Sequence, residues 1–71
     1  MKSDIISLLS EAVDYLERAA RRTEEAGKIL LKKSPIELRF TGSTVCSDAK
    51  DIRWIKNSLK KVIEIIEWEI N

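Results

Sequence analysis

Counting from Ile5, apolar or small residues recur at Leu9, Ala12, Leu16, Ala19, Thr23, Ala26 and Leu30, in steps that alternate four and three. A period of 3.5 sustained for about 25 residues is the signature of a helix packed along its whole length against another helix. One half of this expected seam is Ile5, Ala12, Ala19 and Ala26; the other is Leu9, Leu16, Thr23 and Leu30. Alanines alternating with mostly leucines predict close helix approach, small residues against large, with Thr23 as the weak layer. The acid-before-base pairs Asp14 with Arg18, Glu17 with Arg21 and Glu24 with Lys28 support the same helix at a few tenths of a kcal/mol each.

The expected bounds of this helix are residues 4 to 33. Ser3 is the candidate N-cap, and Asp4 in the first turn suits the helix dipole. Pro35 stops the helix by Lys33 or Ser34. Gly27 costs about 1 kcal/mol relative to alanine. It marks either a weakened or bent helix end or the close approach of another backbone.

A second helix is expected over residues 48 to 70, capped by Ser47 or Asp48 with Asp51 in its first turn. Its stripe is Ile52, Ile55, Leu59, Val62 and Ile66, flanked by Ile63 and Ile70. A second row follows Trp54, Ser58, Lys61, Ile65 and Trp68, with the tryptophans about 21 Å apart on one face. Two apolar rows exceed the need of one neighbour. Either the tryptophans widen the hairpin's own core, or one row seals the hairpin while the other meets a subunit or ligand.

Between the two helices, Ile36, Leu38 and Phe40 alternate with Glu37, Arg39 and Thr41, the period of a half-buried strand. Gly42-Ser43 reads as a turn, and Thr44 to Cys46 as a return. The expectation is an ordered extended crossover, either a short β segment within 36–46 or a plug over the open end of a bundle.

The fold class is therefore all-α, a long helical hairpin forming a single domain over residues 1–71. At 71 residues a lone core is marginal, burying only about 60% of the unfolded surface. Cys46 is the sole cysteine and histidine is absent, so neither an internal disulfide nor a structural zinc site supplies the deficit. Self-association remains, and the expectation is a homo-oligomeric bundle of the four-helix type. The opening lacks the order of a secretory signal, and no apolar run nears the roughly 18 residues of a membrane span. That fits a soluble cytoplasmic protein without a membrane partner.

Charge is unevenly spread. Residues 28–61 hold nine basic and three acidic side chains, +6, against −2 for residues 1–27 and −3 for residues 62–71. The connecting end of a hairpin is then basic and the terminal end acidic, so subunits lying antiparallel would bring opposite charges together. Glu64, Glu67 and Glu69 oppose the dipole of the second helix and call for a cation from elsewhere.

No histidine-based catalytic arrangement is available, and Thr41 to Thr44 lacks the P-loop pattern. Cys46 reads as a small buried residue, and Asp48 and Asp51 as helix-start residues. No catalytic residue, metal site or cofactor is assigned. Two binding readings remain. In one, a protein partner engages an interface drawn from Trp54, Ile65, Trp68, Ala12, Ala19 and Ala26. In the other, a nucleotide or nucleic acid meets Lys33, Arg39, Lys50, Arg53 and Trp54, with the Gly/Ser/Thr segment leading into a helix N-terminus. The alternating Ala/Leu layers resemble those of plasmid copy-control hairpins that dimerise and bind RNA. Ser47 to Leu59, SDAKDIRWIKNSL, is similar to the second helix of phage hairpin proteins that sequester cyclic nucleotides. The protein-binding reading, that of an inhibitor or scaffold, is preferred because the net charge of +1 is low for a nucleic-acid binder.

Overall fold

Two helices account for nearly all of the chain. The computed structural model describes residues 1–33 and 36–69. Helix α1 runs Lys2–Leu31 and helix α2 runs Ile36–Glu69, packed against each other as a hairpin. The expected end of α1 at Lys33 is two residues late, because the helix closes at Leu31 with Lys32 as its C-cap; the alternative end at Ser34 and the place of Ile70 beside the α2 stripe fall outside the described residues.

Both helices start earlier than their capping residues predict. Met1 occupies the N-cap position of α1 and makes no side-chain cap bond, and the Ile5 amide donates to the Met1 carbonyl at 3.1 Å, so Ser3 lies inside the first turn. Helix α2 starts twelve residues before Asp48, which corrects the expected extended crossover: residues 36–46 are helix, neither a β segment nor a plug. Glu37 is the acid of its first turn. Thr41 and Thr44, poor helix formers, donate their hydroxyls to the carbonyls of Glu37 and Phe40 at 3.0 and 3.3 Å. Propensity is weak here, and the contact with α1 decides.

That contact is a meeting of glycines. A Cβ on Gly42 would lie 2.8 Å from the Gly27 oxygen and 2.8 Å from the Leu31 nitrogen; one on Gly27 would lie 2.6 Å from the Cys46 sulfur and 3.0 Å from its nitrogen. Of the two roles expected for Gly27, close approach of a neighbouring backbone is the one observed, and the neighbour is the chain's own second helix. Two turns further toward the termini, Ala20 and Ala49 are fully buried.

From these positions the seam follows at steps of three and four. On α1 it is Ile6, Leu9, Val13, Leu16, Ala20, Thr23, Gly27 and Leu30; on α2 it is Gly42, Val45, Ala49, Ile52, Lys56, Leu59, Ile63 and Ile66. All are buried or half-buried. Half of the expected α1 seam is therefore correct. The other half is displaced by one residue: Ala19 and Ala26 are exposed, and Ile5 is 37% exposed. On α2, Ile52, Leu59 and Ile66 pack as expected, but Lys56 and Ile63 replace Ile55 and Val62 in the seam.

Candidate functional site

The two flanks of the seam differ in character. On one, Glu17 accepts a hydrogen bond from Lys56 Nζ at 2.6 Å and, seven residues on, Glu24 accepts one from Arg53 Nη1 at 2.6 Å. Each glutamate also pairs with the base four residues ahead, Arg21 at 3.3 Å and Lys28 at 3.4 Å. The hydrogen bond from Lys56 holds the Glu17 carboxyl below the usual glutamate range, and the bond from Arg53, then that from Lys28, does the same for Glu24. Glu24 in turn raises Arg53. At the terminal end of this edge, Lys2 Nζ donates to the Glu67 carbonyl at 3.2 Å, bringing a cation to the acidic last turn of α2. The expected Asp14–Arg18 pair is absent among the described residues. Arg18 lies over the Tyr15 ring instead, 5.6 Å from its centroid.

The opposite flank is apolar. Because the crossing contacts lie beside seam residues Leu16, Thr23, Ile52 and Ile66 on the C-terminal side, the residues preceding Ile6, Val13 and Ala20 share the other edge with those preceding Lys56 and Ile63. On α1 that edge is a row with the same spacing as the seam: Ile5, Leu8, Ala12, Tyr15, Ala19, Arg22, Ala26 and Ile29. On α2 it carries Ile55, Ser58, Val62, Ile65 and Glu69 toward the termini, then Asp51, Asp48, Thr44 and Thr41 toward the connection. Leu8, Tyr15 and Ile65 are 67%, 64% and 59% exposed. Arg22, Asp48 and Asp51 enter no ion pair among the described residues.

The six interface candidates thus divide. Ala12 and Ala19 of α1 and Ile65 of α2 fall on this apolar edge, with Ala26 farther along α1. Trp54 and Trp68 stand on the back of α2, 72% and 82% exposed, so they do not widen the core of the hairpin. Trp54 borders a shallow depression with Asn57, Ser58 and Lys61. Leu8, Tyr15 and Ile29 were not among the candidates. Their signal was a second row of the same period, one residue out of step with the seam.

The anion candidates do not converge. Arg39 Nε donates to the Lys33 carbonyl at 3.1 Å beside the connection, Arg53 is bonded to Glu24, and Trp54 is exposed on the back of α2. Arg39 to Trp54 spans about 22 Å of helix. Gly42, Ser43 and Thr44 lie inside α2, where backbone N–H groups are spent on the helix, so no helix N-terminus opens at Ser47 or Asp48. Among the described residues no helix is long and apolar enough to cross a membrane.

Comparison with known proteins adds no constraint. No family model, curated protein or solved structure matches this chain. Any assignment of function therefore starts from the two surfaces just described, the apolar edge and the tryptophan-bearing back of α2.

Proposed function

We propose that this chain is a non-enzymatic binding protein, an inhibitor or scaffold, that works as an assembly of helical hairpins and engages its partner by protein–protein contact. The observation that supports it is an inversion of the usual partition: among the described residues only glycine and alanine are buried, while tryptophans, Leu8, Tyr15, Phe40 and Ile65 lie at the surface. Trp54 and Trp68, large and rigid, are suited to anchor a partner. Their exposure on the back of α2 keeps them clear of the hairpin's own packing.

Binding of a nucleotide or nucleic acid at the basic connecting end is the competing reading, and no convergent set of cations favours it. Native mass spectrometry of gently purified protein at low salt tests both. The expected spectrum is a discrete oligomer without a small-molecule adduct. An oligomer retaining a nucleotide-sized mass transfers the assignment to the anion reading. A monomer at tens of micromolar overturns the assembly on which the proposal stands.

A further inference from the structure

The apolar edge is long enough, and patterned enough, to say what covers it. A compact folded chain of 8.2 kDa exposes about 4,500 Å², whereas this hairpin exposes 5581 Å². The excess of roughly 1,000 Å² is close to the surface each partner contributes to a standard interface, about 800 Å². We infer that the edge bearing Ile5, Leu8, Tyr15, Val62 and Ile65 is covered by a second copy of this chain, across a two-fold axis parallel to the helices, so that both connections lie at one end. This rests on the proposed assembly and deepens it by naming the face, the occupant and the orientation.

Orientation follows from matching heights. In the hairpin, Gly27 packs on Cys46, Glu17 reaches Lys56 and Leu30 meets Gly42, so a residue of α1 stands level with the α2 residue whose number completes a sum near 72. With both connections at one end, α1 lies over α2 of the other copy and heights are preserved. Ile5 and Leu8 then meet Val62 and Ile65, and Tyr15 meets Ile55. Arg22, the single charge in the α1 row, meets Asp48 and Asp51, the charges in the α2 row at its height; the third charge of that row, Glu69, ends it beyond Ile65, level with Ser3.

Opposite orientation, with α2 over α2, sets Val62 and Ile65 against Asp48 and Thr44. It also sets Arg22 against Ala12, desolvating charges without partners. It has one attraction, since the connecting half carries +4, from nine basic and five acidic side chains over residues 18–53, and the remaining half −3. Those are exposed charges, screened beyond about 8 Å at physiological salt. Local desolvation at the interface outweighs them, so the end-to-end charge match expected from the sequence yields to the match between rows.

The test is complementation between two variants. Arg22→Glu sets glutamate against Asp48 and Asp51; Asp48→Lys with Asp51→Lys sets two lysines against Arg22. Each variant alone should associate more than about tenfold more weakly than the unsubstituted chain. A mixture should form a dimer holding one chain of each kind, because both contacts in it are again between opposite charges. Native mass spectrometry distinguishes that species by mass, and circular dichroism of the same samples follows helix content. Undiminished association of Arg22→Glu, or two weakened variants that fail to pair, overturns the face and orientation while leaving assembly intact. An unsubstituted assembly of other than two chains does the same. A monomeric unsubstituted chain instead removes the proposed function together with this inference.

Discussion

At the scale of single residues, Gly27 and Gly42 decide how near the helices come. In an exposed helix interior, glycine to alanine stabilises by about 1 kcal/mol. Here the added carbon meets fixed atoms. For Gly42 the nearest two are backbone, both at 2.8 Å, whereas for Gly27 the nearest is the Cys46 sulfur at 2.6 Å, a side-chain atom that can rotate away. Overpacking costs about 1–3 kcal/mol, enough to exceed the propensity gain where nothing can yield. Gly42→Ala should therefore lower the thermal midpoint, and lower it more than Gly27→Ala does. Circular dichroism melting of the two variants beside the unsubstituted chain measures this; a raised midpoint for Gly42→Ala would show that the backbones are not in contact. The same glycine explains a misreading of the sequence. Gly42-Ser43 looks like a turn because glycine is the default turn residue, and nothing local says that its missing side chain is needed for a crossing helix 15 residues away at Gly27.

At the scale of the elements, the helices are joined along one edge by charge and through the seam by apolar contact. Leu9, Leu16, Thr23 and Leu30 were legible as half of the α1 seam. The other half was not, because Ile5, Ala12, Ala19 and Ala26 are as apolar as Ile6, Val13, Ala20 and Gly27 and obey the same spacing. A one-residue offset turns a row by 100°, and only the partner helix chooses between them. On α2 the seam was concealed further by Lys56, whose side chain is 16% exposed beside Glu17, and by the small residues Gly42 and Ala49. The charged edge has a measurable consequence. Glu17 and Glu24 hold carboxyls below the usual range, so each contributes stability that is fully present above the unfolded value of about 4.3. That contribution is lost as pH falls through the lower folded values. The thermal midpoint of the unsubstituted chain should fall as pH is lowered from 6 toward 3, as set by those glutamate values. The double variant Glu17→Gln, Glu24→Gln should show a shallower fall over the same window. Equal slopes would mean that the crossing bonds are not retained in solution.

At the scale of the whole molecule, the hairpin is too extended to shelter its own apolar surface. Its radius of gyration is 16.2 Å, against about 11 Å for a compact domain of this length, and its Cα envelope measures 56 × 14 × 10 Å. Two helices side by side have a line of contact but no interior, which is why no bulky side chain among the described residues is fully buried and why the seam narrows to glycine and alanine where the backbones meet. A second hairpin on the apolar edge would turn that line into a core shared by four helices. Folding and association would then be one equilibrium, with stability that rises by mass action as chain concentration rises. A tenfold increase in concentration adds about 1.4 kcal/mol to such an equilibrium, which for a chain pair of this size moves the thermal midpoint by a few degrees. Melting curves at 5, 50 and 500 µM, a range chosen to give steps of about 1.4 kcal/mol, should shift upward together. Helix signal and tryptophan fluorescence should share one midpoint at each concentration. A midpoint independent of concentration would mean that the glycine contacts and the charged edge suffice for a solitary hairpin, and the apolar edge would then be left for a partner of another kind.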